Sequence, residues 1–122
     1  MTRARVGLVG ASGYSGLDLT KLLLGHERVT LDFLTSDRWV GQQVESRVGV
    51  AVKEGATQYV SVESGLERAA QCEVVFLATP AETSLELAPK LLPKTRVIDL
   101  AGTFRLRDAS LYPSFYKFTH PE

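Results

Sequence analysis

Residues 5–16 of the chain read RVGLVGASGYSG. The first five, Arg5–Val9, form a short apolar run that predicts a buried strand, and Gly10 ends it. The leucine-rich segment Tyr14–Leu24 predicts a helix, with Gly25 directly after it as the residue that closes it. This stretch therefore predicts a strand, a glycine-rich loop and a helix in immediate succession.

Further strand signals follow along the rest of the chain. Three of these candidates are strong, because they are short apolar runs bounded by turn residues, and two are weaker. The strong ones are Val29–Leu34, Glu73–Ala78 and Arg96–Leu100, and the weak ones are Val48–Val52 and Gln58–Val62.

Capping-box spacings predict where two helices begin between these strands. One opens the segment Ser64–Ala70, which we expect to be a short helix. The other places Thr79 before a helix that has Pro80 at its first position and Glu82 soon after. Pro89 should then kink or restart that helix, because proline lacks the amide hydrogen that an interior helix position donates.

Strands that alternate with helices predict a parallel sheet with helices on both faces. We therefore expect a Rossmann-type, doubly wound α/β fold with at least four parallel strands and one or two weaker strands at an edge. No repeat, low-complexity tract or linker divides the sequence, so residues 1–122 are expected to form one domain. From Ala101 onward an irregular chain is expected.

The composition excludes several classes of protein. The 122 residues carry 14 Lys and Arg against 14 Asp and Glu, whereas a nucleic-acid-binding domain usually has a basic surface. No apolar run approaches the roughly 20 residues that span a bilayer. The single cysteine, Cys72, excludes a disulfide framework and a cysteine-based zinc site. We expect a cytoplasmic protein with no metal and no membrane or nucleic-acid partner.

The glycine loop has the spacing GxxGxxG between a strand and a helix, a context typical of dinucleotide binding. Gly10 would permit the tight turn, Gly13 would let a pyrophosphate approach the backbone, and Gly16 would let the helix lie close to the strand. The free amide groups and the dipole at the helix start would favour the phosphates.

The residues after the second strand bear on which dinucleotide is bound. Asp37 lies about 20 residues beyond the glycines, where an acidic residue accepts hydrogen bonds from the ribose of NAD. Ser36 and Arg38 flank it and together could hold the 2′-phosphate of NADP, because arginine binds phosphate through a planar fork of donors. The sequence favours NADP and leaves NAD open.

The strand Glu73–Ala78 is followed directly by Thr79 and Pro80. In a doubly wound sheet, ligands lie beyond the carboxyl ends of the strands, where the strand order reverses. We therefore expect Thr79 and Pro80 to line the nicotinamide side of the site.

Several stretches of the sequence together resemble one known family. They are RVGLV followed by GASGYSG, VFLATP, ELAPKLL, and VIDLAGTFRL followed by LYPSFYKFTH. They resemble the N-terminal part of the N-acetyl-γ-glutamyl-phosphate reductases, which belong with the aspartate-semialdehyde dehydrogenases. The resemblance runs from Arg5 to His120 and corresponds to the first third or so of such an enzyme.

This resemblance implies an NADP-dependent oxidoreductase of arginine biosynthesis that reduces an acyl phosphate to an aldehyde and releases phosphate. In such enzymes a cysteine thiolate attacks the acyl group, hydride from the nicotinamide resolves the thioester, and a histidine acts as acid and base. We also expect a homo-oligomer.

The resemblance assigns site residues as well. The pyrophosphate loop comprises Gly10, Ser12, Gly13, Tyr14, Ser15 and Gly16. Ser36 and Arg38 match the loop that meets the 2′-phosphate, and Thr79 and Pro80 match the nicotinamide edge. Arg105 matches an arginine that faces the substrate phosphate, for which a bidentate guanidinium is well suited.

The sequence departs from the family pattern in two ways. Thr103 stands where the family usually has an aspartate, and the motif around the nucleophilic cysteine and the catalytic histidine are both missing. We expect no catalytic residue in this chain and a catalytic domain beyond Glu122. Cys72 is no substitute, because it precedes its strand at the edge opposite the ligand. His26 is expected to be exposed at the end of a helix, and His120 to be a terminal residue.

The sequence therefore predicts the cofactor-binding part of a reductase, inactive by itself. An incomplete fold would leave an apolar patch uncovered, so we expect self-association or low stability. Two alternatives stay open: a sister semialdehyde dehydrogenase or lysine-pathway reductase, and a stand-alone nucleotide-binding module without catalysis.

Overall fold

Strands and helices alternate along the chain in the computed structural model, which describes residues 3–52 and 54–100. The elements are β1 (Ala4–Val9), α1 (Tyr14–Leu24), β2 (Val29–Leu34), α2 (Val44–Val48), α3 (Val62–Arg68), β3 (Val74–Leu77), α4 (Ala81–Leu91) and β4 (Arg96–Asp99). A short 3₁₀ turn, Ala69–Gln71, follows α3. The expectations for Thr103, Arg105, His120 and the irregular segment from Ala101 lie outside the described residues.

The four strands form one parallel sheet in the order β2-β1-β3-β4. The chain leaves β1 toward β2 on one side and returns to β3 on the other, so the strand order reverses between β1 and β3. The carboxyl ends of these two strands therefore flank the crevice where doubly wound sheets bind ligands. The predicted Rossmann-type α/β fold is confirmed.

Apolar clusters lie on both faces of this sheet, because successive strand residues point to opposite faces. On one face, α1 and α2 contribute Leu23 and Val44 to a cluster with Leu8 and Leu31. The members of the other cluster include Val75 and Leu77 of β3 and Leu87, Ala88 and Leu91 of α4. The two-sided burial explains why β3, with the sequence VVFL, is uniformly apolar rather than alternating. None of the helices in the described part of the chain is long and apolar enough to cross a membrane.

Helix α1 ends at the predicted residue but with a different backbone conformation from the usual one. Gly25 closes α1 with a right-handed φ of −86°, so the left-handed conformation common for a glycine after a helix is not used.

The predicted strand Val48–Val52 is wrong. Val44 and Val48 are buried one turn apart in α2, and Gly49 ends that helix with a φ of 72°.

The other weak strand, Gln58–Val62, is also wrong. It forms only two isolated bridges, at Gln58 and Val60, before α3 begins. The side chain of Ser61 accepts a hydrogen bond from the amide of Ser64, 3.2 Å away, so Ser61 is the cap instead of Ser64. Within the described ranges the sheet thus has four strands and no weaker edge strand.

Helix α4 begins one residue later than its capping pattern indicates. Pro80 is the N-cap, and the Thr79 hydroxyl pairs with the Ser84 hydroxyl at 2.7 Å instead of capping a backbone amide. The expected restart at Pro89 does not occur, since the helix runs unbroken to Leu91. Pro89 lies in the last turn, next to side chains that the core holds in place.

Candidate nucleotide-binding site

The glycine loop leaves β1 in a conformation that only glycine adopts easily. Gly10 has a φ of 84°, and a Cβ there would lie 2.7 Å from the Ala78 carbonyl oxygen. The amide of Gly10 donates to the Thr35 hydroxyl at 3.1 Å, and the amide of Ala11 donates to the Thr35 carbonyl at 2.9 Å. The ends of β1, β2 and β3 therefore meet at this glycine.

The other two loop glycines have opposite surroundings. A Cβ on Gly16 would lie 2.2 Å from the Gly10 carbonyl oxygen, so α1 packs against the loop more closely than any side chain would allow. At Gly13 nothing lies within 4 Å of an added Cβ. Gly16 therefore serves packing, whereas Gly13 leaves the backbone open to an approaching group.

The start of α1 favours an anion. The amide of Leu17 donates to the Gly13 carbonyl at 2.8 Å, so the amides before it, from Tyr14 to Gly16, have no intrahelical acceptor. The first turn contains no acidic residue. The positive end of the helix dipole is thus uncompensated by a nearby carboxylate, which suits a phosphate group.

A cavity of about 490 Å³ lies beside this helix start. Its walls bring together Ser12, Gly13, Tyr14, Leu17, Arg38 and Trp39. The structure therefore joins the glycine loop to the turn after β2, although Arg38 lies 24 positions after Tyr14 in the sequence. Arg38 is exposed and makes no ion pair with any described residue, so its guanidinium is available to a ligand.

Ser36 and Asp37 take different places in this turn. Ser36 is buried, and its hydroxyl accepts a hydrogen bond from the Trp39 amide at 3.1 Å. It shapes the turn that presents Arg38 and does not line the cavity. Asp37 is exposed and does not line the cavity either.

A second, smaller cavity of about 90 Å³ lies at the end of β3. It is lined by Ser15, Ala78, Thr79 and Leu100. The structure therefore brings Ser15 and Thr79 together, on the opposite side of the loop from Arg38. Pro80 is exposed and is not part of this cavity wall.

Sequence reasoning missed two residues that matter here. Thr35 holds Gly10 and Ala11 through its hydroxyl and carbonyl groups. Trp39 lines the larger cavity and contacts Tyr59, with ring centroids 5.4 Å apart. The available signals were the position of Thr35 directly after a strand and the presence of the chain's single tryptophan in a polar segment.

A cavity of about 480 Å³, with His26 in its wall, lies at the opposite edge of the sheet, but neither the glycine loop nor Arg38 lines it. Cys72 precedes β3 and is buried, and burial raises the pKa of its thiol to about 11, so it is a poor nucleophile. His26 is exposed, and its Nδ1 accepts a hydrogen bond from the Arg28 amide. Among the residues that the structure describes, no three His, Cys, Asp or Glu side chains are grouped to hold a metal ion.

Comparison with known proteins decides the family. A family model described as "Semialdehyde dehydrogenase, NAD binding domain" matches residues 5–115. The chain belongs to this family. Membership makes it an NAD-binding domain of the semialdehyde dehydrogenase family, and the arrangement of its glycine loop agrees with that assignment.

Relatives and solved structures agree with the family. The N-acetyl-gamma-glutamyl-phosphate reductase of Halorhodospira halophila is 40% identical over 116 residues, which make up 94% of this chain and 33% of that relative. The chain thus spans about one third of the length of the curated relatives it matches. The resemblance predicted from the sequence motifs is confirmed.

Two solved structures have the same fold. A probable aspartate-semialdehyde dehydrogenase from Pseudomonas aeruginosa gives a TM-score of 0.68 at 25% identity and covers 88% of this chain and 30% of its own. An aspartate-semialdehyde dehydrogenase from Candida albicans, solved with NADP, gives a TM-score of 0.67 at 19% identity. The match covers 88% of this chain and 32% of that chain. At that identity the second structure is evidence of the fold alone.

Proposed function

We propose that this chain is the NADP-binding part of an oxidoreductase that reduces N-acetyl-γ-glutamyl phosphate to the semialdehyde and releases phosphate. The observation that carries the proposal is the cavity that joins the glycine loop to Arg38. The names of the relatives support the choice of acyl phosphate.

The residues of the loop fit a dinucleotide. The open space beside Gly13 would admit a pyrophosphate, and the amides from Ser12 to Gly16 would donate to it. Ser15 and Thr79 would lie at the nicotinamide edge, with Pro80 just outside it. Bound there, the cofactor supplies a hydride, and the protein's part is to bind and orient it.

The choice of NADP over NAD rests on Arg38. Its guanidinium would pair with the 2′-phosphate, and Ser36 would act by holding the turn through its bond to the Trp39 amide. If Asp37 instead accepted hydrogen bonds from the ribose hydroxyls, NAD would be the cofactor. Asp37 does not line the cavity, which favours NADP.

Calorimetric titrations with NADPH and NADH test this proposal. Wild type should bind NADPH more tightly, and Arg38→Ala should weaken NADPH by about 5- to 150-fold, the equivalent of one charged hydrogen-bonding contact, while leaving NADH nearly unchanged. Arg28→Ala is the matched control, because it removes an exposed positive charge outside the cavity. Tighter binding of NADH, or an equal loss of both cofactors in Arg38→Ala, would overturn the choice of NADP.

The substrate belongs to the same proposal. Arg105, outside the described residues, is proposed to face the acyl phosphate, and the nucleophilic cysteine must come from elsewhere because Cys72 is buried at the wrong edge. NADPH oxidation by the protein carrying this domain, measured with N-acetyl-γ-glutamyl phosphate and with β-aspartyl phosphate, separates the reductase from a sister dehydrogenase. Nucleotide binding with neither turnover would favour the stand-alone module. A cytoplasmic location and a homo-oligomer complete the proposal.

A further inference from the structure

Trp39, the chain's single tryptophan, is half-buried in the turn after β2 and lines the same cavity as Arg38. We propose that its indole ring forms the wall that receives the adenine base, so that Trp39 sets nucleotide affinity separately from the 2′-phosphate contact of Arg38. This inference rests on the proposed dinucleotide site.

The ring is held from two directions before any ligand arrives. Tyr59, which is 1% exposed, meets it edge-on, with a centroid distance of 5.4 Å and an interplanar angle of 61°. The guanidinium of Arg47 lies 4.6 Å from the indole centroid and donates through Nε to the Gln42 side-chain oxygen at 2.7 Å. An aromatic wall fixed in this way loses little freedom when a ligand binds.

The backbone of Trp39 is fixed as well. Its amide donates to the Ser36 hydroxyl at 3.1 Å, and its carbonyl accepts from the Gln42 amide at 2.9 Å. Arg38 directly precedes Trp39 in the chain, and both residues line the same cavity. The cavity wall therefore contains a guanidinium group and an indole ring from neighbouring residues. In an adenosine 2′-phosphate, the phosphate would pair with the guanidinium and the neighbouring adenine base would stack on the indole.

The position of the wall fits adenine better than nicotinamide, because Trp39 lines the cavity that holds Arg38 and Thr79 lines the other one. Adenine is flat and has two apolar faces, and nucleic-acid bases of any kind stack on aromatic side chains. The order β2-β1-β3 places Trp39 and Thr79 on opposite sides of the glycine loop. The cavity volume of about 490 Å³ lies within the range of small-molecule sites.

Tryptophan fluorescence of the 122-residue chain tests the contact. With excitation selective for tryptophan, the emission comes from Trp39 alone, because it is the only tryptophan in the sequence. Adenosine 2′,5′-bisphosphate should change the Trp39 emission with the same dissociation constant that calorimetry gives, and nicotinamide mononucleotide should not. Trp39→Ala should bind the bisphosphate about 5- to 100-fold more weakly, and Trp39→Phe, which keeps a ring, should retain most of the affinity. The ratio of NADPH to NADH affinity should survive in Trp39→Ala and fall in Arg38→Ala.

The outcomes separate this inference from the proposed function. If wild type binds none of NADPH, NADP⁺ or the bisphosphate, the proposed function fails. If wild type binds them while Trp39→Ala binds equally well, the adenine wall is wrong and the NADP site stands. If circular dichroism shows that Trp39→Ala is unfolded, the test rests on the Trp39 emission of the wild-type chain. The inference is overturned if that emission does not change while calorimetry shows that the bisphosphate binds. It is also overturned if nicotinamide mononucleotide changes the emission equally.

Discussion

The backbone amide of Gly10 donates to the hydroxyl of Thr35 over 3.1 Å, so the residue directly after β2 holds the first residue of the glycine loop. The bond is partly shielded from water, since Thr35 is fully buried and Gly10 is half-buried. A buried amide that loses its acceptor incurs the desolvation cost of an unpaired polar group. Thr35 is therefore a positioning residue for the loop, although it does not line either cavity.

Thr35→Val tests this role, because valine keeps the shape of threonine and removes the acceptor. We expect a loss of about 1–3 kcal/mol in the free energy of unfolding, measured by urea titration, and weaker NADPH binding by calorimetry. Thr35→Ser, which restores the hydroxyl, should recover NADPH binding even if its missing methyl group lowers stability. Equal NADPH affinity in wild type and Thr35→Val would show that the hydrogen bond does not shape the loop.

The loop glycines allow stability and binding to be separated. Gly13→Ala should leave the melting temperature unchanged or slightly raised, because Gly13 has a φ of −79° and open space around an added Cβ. Its NADPH affinity should nevertheless fall, since the methyl group would occupy the proposed path of the pyrophosphate. Gly25→Ala is the control, with a φ of −86° and a nearest contact of 3.5 Å at the other end of the helix.

Gly16→Ala should behave differently from Gly13→Ala. Its Cβ would lie 2.2 Å from the Gly10 carbonyl oxygen, so α1 must move away from the loop. Forcing atoms into such a contact costs about 1–3 kcal/mol or more, which thermal unfolding would detect. A Gly16→Ala variant as stable as wild type would contradict the close approach of helix and loop.

The bounds of the strongest elements could be predicted because their signals are local. Tyr14–Leu24 and Val29–Leu34 occur with the predicted bounds, since a leucine-rich helix and a short apolar strand each carry their pattern within their own residues. The Gly10 turn was likewise readable from glycine spacing. The parallel orientation of the strands then follows from the alternation of strands and helices.

The missed features depend on contacts between distant segments. Thr35 becomes important because the ends of β1 and β2 come together, and Trp39 because the turn after β2 lies beside the loop. The cap moved from Ser64 to Ser61 because two serines in the segment offer competing starts. Local patterns rank such alternatives poorly when packing decides between them.

A buried carboxylate should make the stability of the domain depend on pH. Asp32 on β2 contacts Arg5 at 2.7 Å and Arg68 at 2.8 Å, and its side chain is 2% exposed. Burial acts to raise the pKa of Asp32, but the hydrogen bonds and charges of Arg68 and Arg5 outweigh it and hold the pKa below its usual value. Because the folded pKa is lowered, the stabilisation is present above the unfolded pKa of about 3.9 and is lost as the pH falls through the folded value.

Asp32→Asn isolates this contribution. At neutral pH the variant should be about 1–3 kcal/mol less stable than wild type, because the two arginines lose a charged acceptor but stay half-exposed. The difference should shrink as urea unfolding is repeated from about pH 5 downward. Glu86→Gln is the control, since the Glu86–Lys90 pair is exposed and 3.8 Å apart. A difference that stays constant over this range would show that Asp32 does not titrate as described.

Cys72 should be chemically silent in the folded domain. Its side chain is buried, and burial raises the pKa of the thiol to about 11, so at about pH 8 nearly all of it is the unreactive thiol. Alkylation by iodoacetamide should therefore be at least about a hundredfold slower in the folded chain than in urea, as followed by mass spectrometry. Cys72→Ser should bind NADPH as wild type does, and the 122-residue chain should not oxidise NADPH with an acyl phosphate. Rapid labelling of the folded chain, or turnover that Cys72→Ser abolishes, would place the nucleophile here after all.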